Sequence, residues 1–68
     1  MIRQHVESSN LVSVGYDEST STLEIEFRSG IYQYFDVPQH IHDELMSSSS
    51  AGSYHHQNIK NSFSCDKV

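Results

Sequence analysis

The alternation of apolar and charged residues in LEIEF, residues 23–27, constrains the fold of this chain more than any other feature. Side chains alternate between the two faces of a strand, so the three apolar residues share one face and the two glutamates share the other. This pattern predicts an antiparallel strand with one buried and one hydrated face. Ser29-Gly30 follows, where glycine supplies the positive φ of a tight turn. Residues 31–36, IYQYFD, then return as the neighbouring strand.

A further strand is predicted before this pair. The segment LVSVGY, residues 11–16, is rich in β-forming residues, and Val12, Val14 and Tyr16 fall on one face of it. The polar run DESTST, residues 17–22, is typical of a turn. Three strands joined by short turns form an antiparallel meander.

The second half of the chain changes from strand to helix periodicity. Pro38 suits the first turn of a helix because that turn needs no partner for the missing amide hydrogen. Ile41 and Leu45 are four residues apart and therefore lie on one side of the helix. The serine-rich stretch 47–53 predicts a flexible loop that ends this helix. Ser53 is expected to cap the element that follows.

The predicted fold class is therefore α+β. A three-stranded antiparallel meander, over about 10–16, 22–28 and 31–36, packs one face on an α-helix over about 38–46. The segment 54–63 covers part of the remaining apolar surface, either as a short helix or as a strand.

The chain is expected to form a single domain, residues 1–68, with an ordered core over about 9–63. The polar residues 1–8 are interpreted as a loose lead, and the tail SCDKV, residues 64–68, as disordered. A domain of this length buries only about 60% of the surface that its unfolded chain exposes. Its stability is therefore expected to be marginal.

The third strand leaves one question about the core open. Ile31 and Phe35 lie on one of its faces and Tyr32 and Tyr34 lie on the other, and either pair is apolar enough to face the helix. The rest of the expected core comes from the other predicted elements and consists of Val12, Val14, Leu23, Ile25, Phe27, Val37, Ile41, Leu45, Ile59 and Phe63.

The charge balance argues against nonspecific binding to polyanions. The net charge is −5, and the four basic residues are scattered along the sequence. Nucleic-acid binders usually cluster their cations, because phosphate neutralisation dominates their affinity. No apolar stretch approaches the roughly 20 residues that span a bilayer, and no secretory signal is recognisable. With Cys65 as the only cysteine, a reducing, cytoplasmic location is expected.

Catalytic, metal or cofactor sites are not predicted. Five histidines are present, but His40 and His42 diverge on a helix, and the adjacent pair His55 and His56 has poor chelating geometry. No serine lies in a constrained nucleophile motif. The histidines are therefore interpreted as surface or partly buried residues that make binding sensitive to pH between about 5 and 7.

The residues that most suggest a binding surface are tyrosines. Tyrosine combines an apolar body with a polar tip and suits half-buried positions and interfaces, so packing at the edge of the core is the competing interpretation. Arg28 is also placed to pair with Glu26 on the hydrated face of its strand. The predicted binding surface consists of Tyr16, Tyr32, Tyr34, Arg28 and Lys60.

The ordered series of segments resembles the KTSC domain, a short module named for its occurrence at the C-terminus of some lysyl-tRNA synthetases. It also occurs as a small stand-alone bacterial or phage protein. The resemblance covers roughly residues 8–63 and is carried by SSNLVSVGYD (8–17), LEIEF (23–27), Tyr32-Gln33-Tyr34, FDVP (35–38) and GSYHHQNIKNSF (52–63).

The resemblance implies a family without an assigned biochemical activity, and it carries over no catalytic or metal-binding residues. The attachment to synthetases suggests RNA binding, which is an association and not a mechanism. This chain departs from the family in two respects that oppose RNA binding. His55 and His56 stand where the family commonly has an aromatic residue, and the overall charge is acidic.

The function expected is that of a small, non-enzymatic binding module without a cofactor. Its partner is expected to be an unidentified protein or a second copy of the chain, because a marginal core favours self-association. The alternative is an RNA or tRNA accessory domain that stacks bases on a tyrosine platform, which the net charge disfavours.

Overall fold

The computed structural model describes all 68 residues and consists of one antiparallel sheet and two helices. Its elements in chain order are β1 (Arg3–His5), β2 (Leu11–Asp17), β3 (Thr22–Phe27), β4 (Gly30–Tyr34), α1 (Gln39–Ser47), α2 (Ala51–Asn58) and β5 (Cys65–Lys67). The five strands lie side by side in chain order, β1-β2-β3-β4-β5. The α+β class is confirmed, but the sheet has five strands where three were predicted, and there are two helices.

The two additional strands are formed by the chain termini, which were predicted to be loose. β1 pairs with β2, and β5 pairs with β4, each over three residues. Neither strand buries a side chain. Backbone hydrogen bonds hold such edge strands, and these bonds require no apolar alternation in the sequence. The termini therefore lack the signal that identified the central strands.

A β-bulge in β2 corrects the predicted orientation of its side chains. Leu11 is opposite Phe27 and Ser13 is opposite Glu26, so Val12 is an extra residue in the ladder. Leu11 consequently shares a face with Val14, and both are buried. Val12, predicted to be in the core, is only half-buried because the bulge removes it from the period of two.

The face of β4 that joins the core carries the tyrosines. Tyr32 is opposite Ile25, and Tyr34 is opposite Leu23, and residues opposite each other share a face of the sheet. Ile31 therefore lies on the other face, beside Glu26.

Both helices pack on this tyrosine-bearing face and form one apolar core with it. Six of the predicted core residues are buried, whereas Phe27, Ile41 and Phe63 are only half-buried. The apolar core consists of Leu11, Val14, Leu23, Ile25, Tyr34, Val37, Leu45, Ala51 and Ile59.

The serine-rich segment is a short link between the helices. α1 ends at Ser47, close to the prediction. Ser50 caps α2, because its Oγ accepts a hydrogen bond from the Ser53 amide at 3.3 Å. The cap therefore lies three residues before the predicted one. The segment 54–63 is helical as far as Asn58. Neither helix is long and apolar enough to cross a membrane.

Two isoleucines on neighbouring strands test which face of the sheet is the core. Ile25 is fully buried and Ile31 is half-exposed on the opposite face. Ile25→Val is expected to lower the free energy of unfolding by about 0.5–1.5 kcal/mol, because it leaves a void in a packed core. Ile31→Val is expected to change it by less than about 0.5 kcal/mol. Urea denaturation measures both, and equal losses would contradict the orientation of the sheet.

Candidate functional site

Tyr34 belongs to the core, so its predicted place on a binding surface is wrong. Only 4% of the residue is exposed. It extends from the central part of the sheet toward α2, where its ring packs edge-to-face on His55 with the ring centroids 5.5 Å apart. Tyrosine is amphipathic and can be buried wherever its hydroxyl finds one hydrogen-bond partner. The sequence alone therefore does not distinguish a surface position from a core position for Tyr34.

That partner is His55 itself. Tyr34 Oη and His55 Nε2 are 2.8 Å apart, and both residues are at least nine-tenths buried. The imidazole also packs edge-to-face on Phe27, at a centroid distance of 4.9 Å. His55 thus fills a place in an aromatic cluster and satisfies the one polar atom that Tyr34 brings into the core.

The surroundings keep both members of this pair neutral near pH 7. Burial lowers the pKa of His55, and the nearby charges of Lys60 and His56 lower this pKa further. Burial raises the pKa of Tyr34 to about 12. The contact is therefore a neutral hydrogen bond. Because it is also shielded from solvent, it is a structural contact and not a proton-transferring pair.

Three predicted surface residues lie near one end of the sheet. Tyr32 is half-buried and packs edge-to-face on Phe27, with the ring centroids 5.7 Å apart. Lys67 is directly opposite Tyr32 on β5. Lys60 lies close enough to His55 to lower its pKa. Arg28 follows Phe27 in the β3–β4 turn, and its Nε donates to the Ser9 carbonyl at 2.8 Å. We call Tyr32, Arg28, Lys60 and Lys67 the basic end.

Tyr16 contacts α1 and does not belong to the basic end. Its ring stacks on His42 of α1, with centroids 5.1 Å apart and the ring planes at 15°. Its hydroxyl donates to the Val37 carbonyl at 2.5 Å. Both parts of the side chain are therefore used inside the fold. The predicted tyrosines do not form one continuous platform.

The face of the sheet opposite the helices carries carboxylates, and residues 1–3 lie against part of it at Gly15. Glu24 accepts hydrogen bonds from Arg3 Nη1 at 2.6 Å and from Gln33 Nε2 at 2.9 Å. The Gln33 hydrogen bond and then the Arg3 contact lower the pKa of Glu24. Glu26 accepts from Ser13 Oγ at 2.9 Å and forms no ion pair. The expected pairing of Arg28 with Glu26 does not form, since the Arg28 side chain is bound to the Ser9 carbonyl.

The arrangement provides little for catalysis or metal binding. No three His, Cys, Asp or Glu side chains come together in a geometry that suits a metal ion. The largest cleft, about 580 Å³, lies between the β1–β2 loop and the start of α2, and Ala51 is its one apolar lining residue. Ligand pockets are usually lined by apolar residues with a few polar groups, which this cleft does not offer.

Two residues with a clear role escaped prediction from the sequence. The sequence predicts a surface or partly buried position for His55 and places Arg3 in a loose lead. Glu24 on the hydrated face is the one sequence feature that indicates a cation nearby, because a positive charge stabilises a half-buried carboxylate. The position of that cation depends on the β1–β2 pairing, which places Arg3 opposite Gly15 on the same face.

Comparison with known sequences identifies the class of protein. The KTSC domain family matches residues 7–63, and the chain belongs to this family. A lysine–tRNA ligase of Nostoc sp. is 40% identical over 63 residues, which are 91% of this chain and 11% of the ligase. The chain thus spans about a tenth of the ligases that it matches. A small protein of Stutzerimonas stutzeri is 39% identical over 61 residues, which are 88% of this chain and 86% of that protein.

A solved structure shows the same architecture. The crystal structure of a KTSC domain protein from Yersinia pestis has a TM-score of 0.97 with this chain and is 44% identical. The match covers 98% of this chain and 96% of that chain. The fold described above is therefore that of a KTSC domain, which occurs in small proteins and as a region of lysine–tRNA ligases.

Removing one hydroxyl tests the buried pair. Tyr34→Phe is expected to lower the free energy of unfolding by about 1–3 kcal/mol, because it leaves a buried nitrogen of His55 without a partner. Tyr32→Phe is the matched control, since the Tyr32 hydroxyl has no partner within the protein, and we expect a change below about 0.5 kcal/mol. Thermal and urea unfolding measure both variants. A neutral Tyr34→Phe variant would show that the pair does not stabilise the fold.

The lowered pKa of His55 predicts a pH dependence of stability. Above its ordinary pKa of 6.5 the imidazole is neutral in the folded and the unfolded chain. As the pH falls below 6.5, the unfolded chain binds the proton first, so the free energy of unfolding decreases until the folded-state pKa is passed.

Matched histidine variants isolate this effect. Between pH 7.5 and 5.0, His55→Gln is expected to lose less stability than the parent protein, because its side chain does not titrate. His56→Gln, at the exposed neighbouring position, is expected to follow the parent closely. Urea denaturation across this pH range provides the measurement. Parallel curves for all three proteins would exclude His55 as the titrating group.

Proposed function

We propose that this KTSC domain is a non-enzymatic module that binds a protein partner through its open sheet. One observation carries the proposal: both helices pack on one face of the sheet, so the opposite face carries no helix, and the short strands β1 and β5 form the two edges. A sheet edge offers unpaired backbone groups, and proteins recognise extended segments by adding them there as a strand.

The absence of a usable reaction centre supports a binding role over catalysis. The buried histidine, His55, is neutral and packs against two aromatic rings. The largest cleft has one apolar lining residue. A catalytic base has to reach its substrate and hold a pKa near the working pH. His55 meets neither requirement, since its pKa is lowered and it is nine-tenths buried.

The way in which the domain occurs in its relatives also favours a module. Closely similar sequences make up about a tenth of a lysine–tRNA ligase and nearly all of a small protein. A unit that recurs both attached and alone is suited to carrying a self-contained binding surface.

RNA binding is the second candidate, and the basic end is the observation that favours it. Tyr32 is half-exposed there, and Lys67 lies directly opposite it on β5. Two further basic residues follow neighbouring elements, Arg28 in the β3–β4 turn and Lys60 just after α2. A stacked base and phosphate contacts are the elements of single-strand recognition. The net charge of −5 opposes RNA binding, because an acidic protein surface repels an anionic RNA.

Site-specific crosslinking distinguishes a protein partner from RNA. A photoreactive amino acid at Ile31, on the open face, is expected to form a discrete protein adduct in cells. The same group at His40, exposed on α1, is expected to form none. In parallel, single-stranded RNA is titrated into the labelled domain at low and at high salt.

The two candidates give different results in the titration. A protein-binding module is expected to show no saturable shifts at Tyr32, Arg28 or Lys60. Saturable, base-dependent shifts at these residues that weaken steeply with salt, without an adduct at Ile31, would replace the protein interpretation with RNA binding.

A further inference from the structure

We propose that the edge of β4 is a recognition site for an extended, basic segment of a partner protein, and that residues 64–68 of the chain cover this edge in the free domain. The inference rests on the proposed role as a protein-binding module and specifies the edge, the partner chemistry and the self-covering segment.

The geometry of β5 shows that the edge of β4 accepts an added strand. The Phe35 amide donates to the Ser64 carbonyl at 2.9 Å, and the Val68 amide donates to the Ile31 carbonyl at 2.8 Å. Between these bonds the three residues of β5 pair in register with Tyr32–Tyr34. The contacts are therefore mainly backbone contacts, which another extended segment reproduces irrespective of its sequence.

The side chains of this covering strand contribute little to its retention. All residues from Ser64 to Val68 are exposed, and none belongs to the apolar core. The Lys67 side chain lies against Gly30, where its Cε would be 2.8 Å from an added Cβ. A short strand without buried apolar surface is among the elements that open locally at low free-energy cost.

The opposite edge of the sheet is covered more firmly, which is why we assign the site to β4. Arg3 of β1 pairs with Glu24 at 2.6 Å, and Val6, just after β1, packs against the core. The segment also lies tightly on Gly15, where an added Cβ would come within 3.0 Å of the Ile2 carbonyl oxygen. The strand β1 therefore has an ion pair with the sheet that β5 lacks, whereas each strand has one neighbouring residue, Val6 or Phe63, packed against the core.

Charge complementarity identifies the partner segment as basic. Asp66 is opposite Gln33, and Gln33 is opposite Glu24, so the covering strand adds a carboxylate to the open face that already carries Glu24 and Glu26. Like charges on one face of a sheet repel one another. A lysine or arginine in the place of Asp66 would extend toward these carboxylates, and Glu26 has no cation of its own.

Two proline variants of the full chain separate the covering strand from the rest of the fold. Bonded positions alternate along an antiparallel ladder, and Val68 donates to Ile31, so the Asp66 amide points to β4 and the Lys67 amide points to solvent. Asp66→Pro therefore removes a ladder bond, whereas Lys67→Pro removes none and is the matched control. Amide spectra establish that the central strands of each variant remain folded.

The probe is a synthetic peptide of residues 62–68 that carries Cys65→Ser and Asp66→Lys, titrated into each labelled protein. If β5 leaves the edge in about one-tenth of molecules or fewer, Asp66→Pro is expected to bind this peptide at least about tenfold more tightly than the parent protein and Lys67→Pro. Shifts are expected on residues 31–35. A second peptide that retains Asp66 is expected to bind about two- to fivefold more weakly.

Each outcome decides the inference. Equal affinity of the three proteins, or shifts away from β4, would overturn the self-covered edge, and equal binding of the two peptides would overturn the basic partner. If the Asp66→Pro variant unfolds, hydrogen exchange of the parent protein is measured in place of the peptide titration. Asp66 and Val68 amides that exchange only through global unfolding would then refute the inference. A protein adduct at Ile31 without peptide binding would refute this inference and leave the proposed function standing.

Discussion

The packing of one face of the sheet against both helices is the interaction on which the whole domain depends. Only 13 of 68 residues are buried, and the fully enclosed side chains of the central strands meet Leu45 and Ile59 from the helical half. Each buried group in so small a core is a large fraction of the net stability, which for any domain is a small difference between large terms. The bulge at Val12 serves this packing, because it brings Leu11 into the core at the point where β2 would otherwise turn the wrong side chain inward.

The same scarcity of apolar residues explains the polar pair inside the core. Tyr34 provides a large ring at the centre of the sheet, and its hydroxyl requires a partner that α2 supplies in His55. A buried hydrogen bond of this kind fixes the relative positions of the two side chains, because burying either group without its partner costs free energy. The domain thereby gains a fixed orientation of α2 on the sheet, and it acquires a sensitivity to acid that a purely apolar contact would not have.

One-sided packing leaves the molecule with two surfaces of opposite character. The face of the sheet without helices carries Glu24 and Glu26, while Lys67 lies opposite Tyr32 on the face that packs against the helices. Covering both edges with short strands, which end in polar or charged residues, reduces indiscriminate edge-to-edge association. The two edge strands differ in the side-chain contacts that hold them, since Arg3 of β1 pairs with Glu24 and β5 forms no ion pair.

The sequence by itself determined the central meander and the first helix. Apolar alternation, a turn glycine and a helical pair of apolar residues are local signals, and Gly30 indeed has a φ of +152°. Only the tertiary structure decided the edge strands, the bulge, the burial of Tyr34 and the partner of Glu24. Backbone pairing at a sheet edge requires no particular pattern of side chains, so the sequence does not reveal it. The burial of an amphipathic tyrosine ring and the position of a bulge residue depend on which neighbours the folded sheet places beside them.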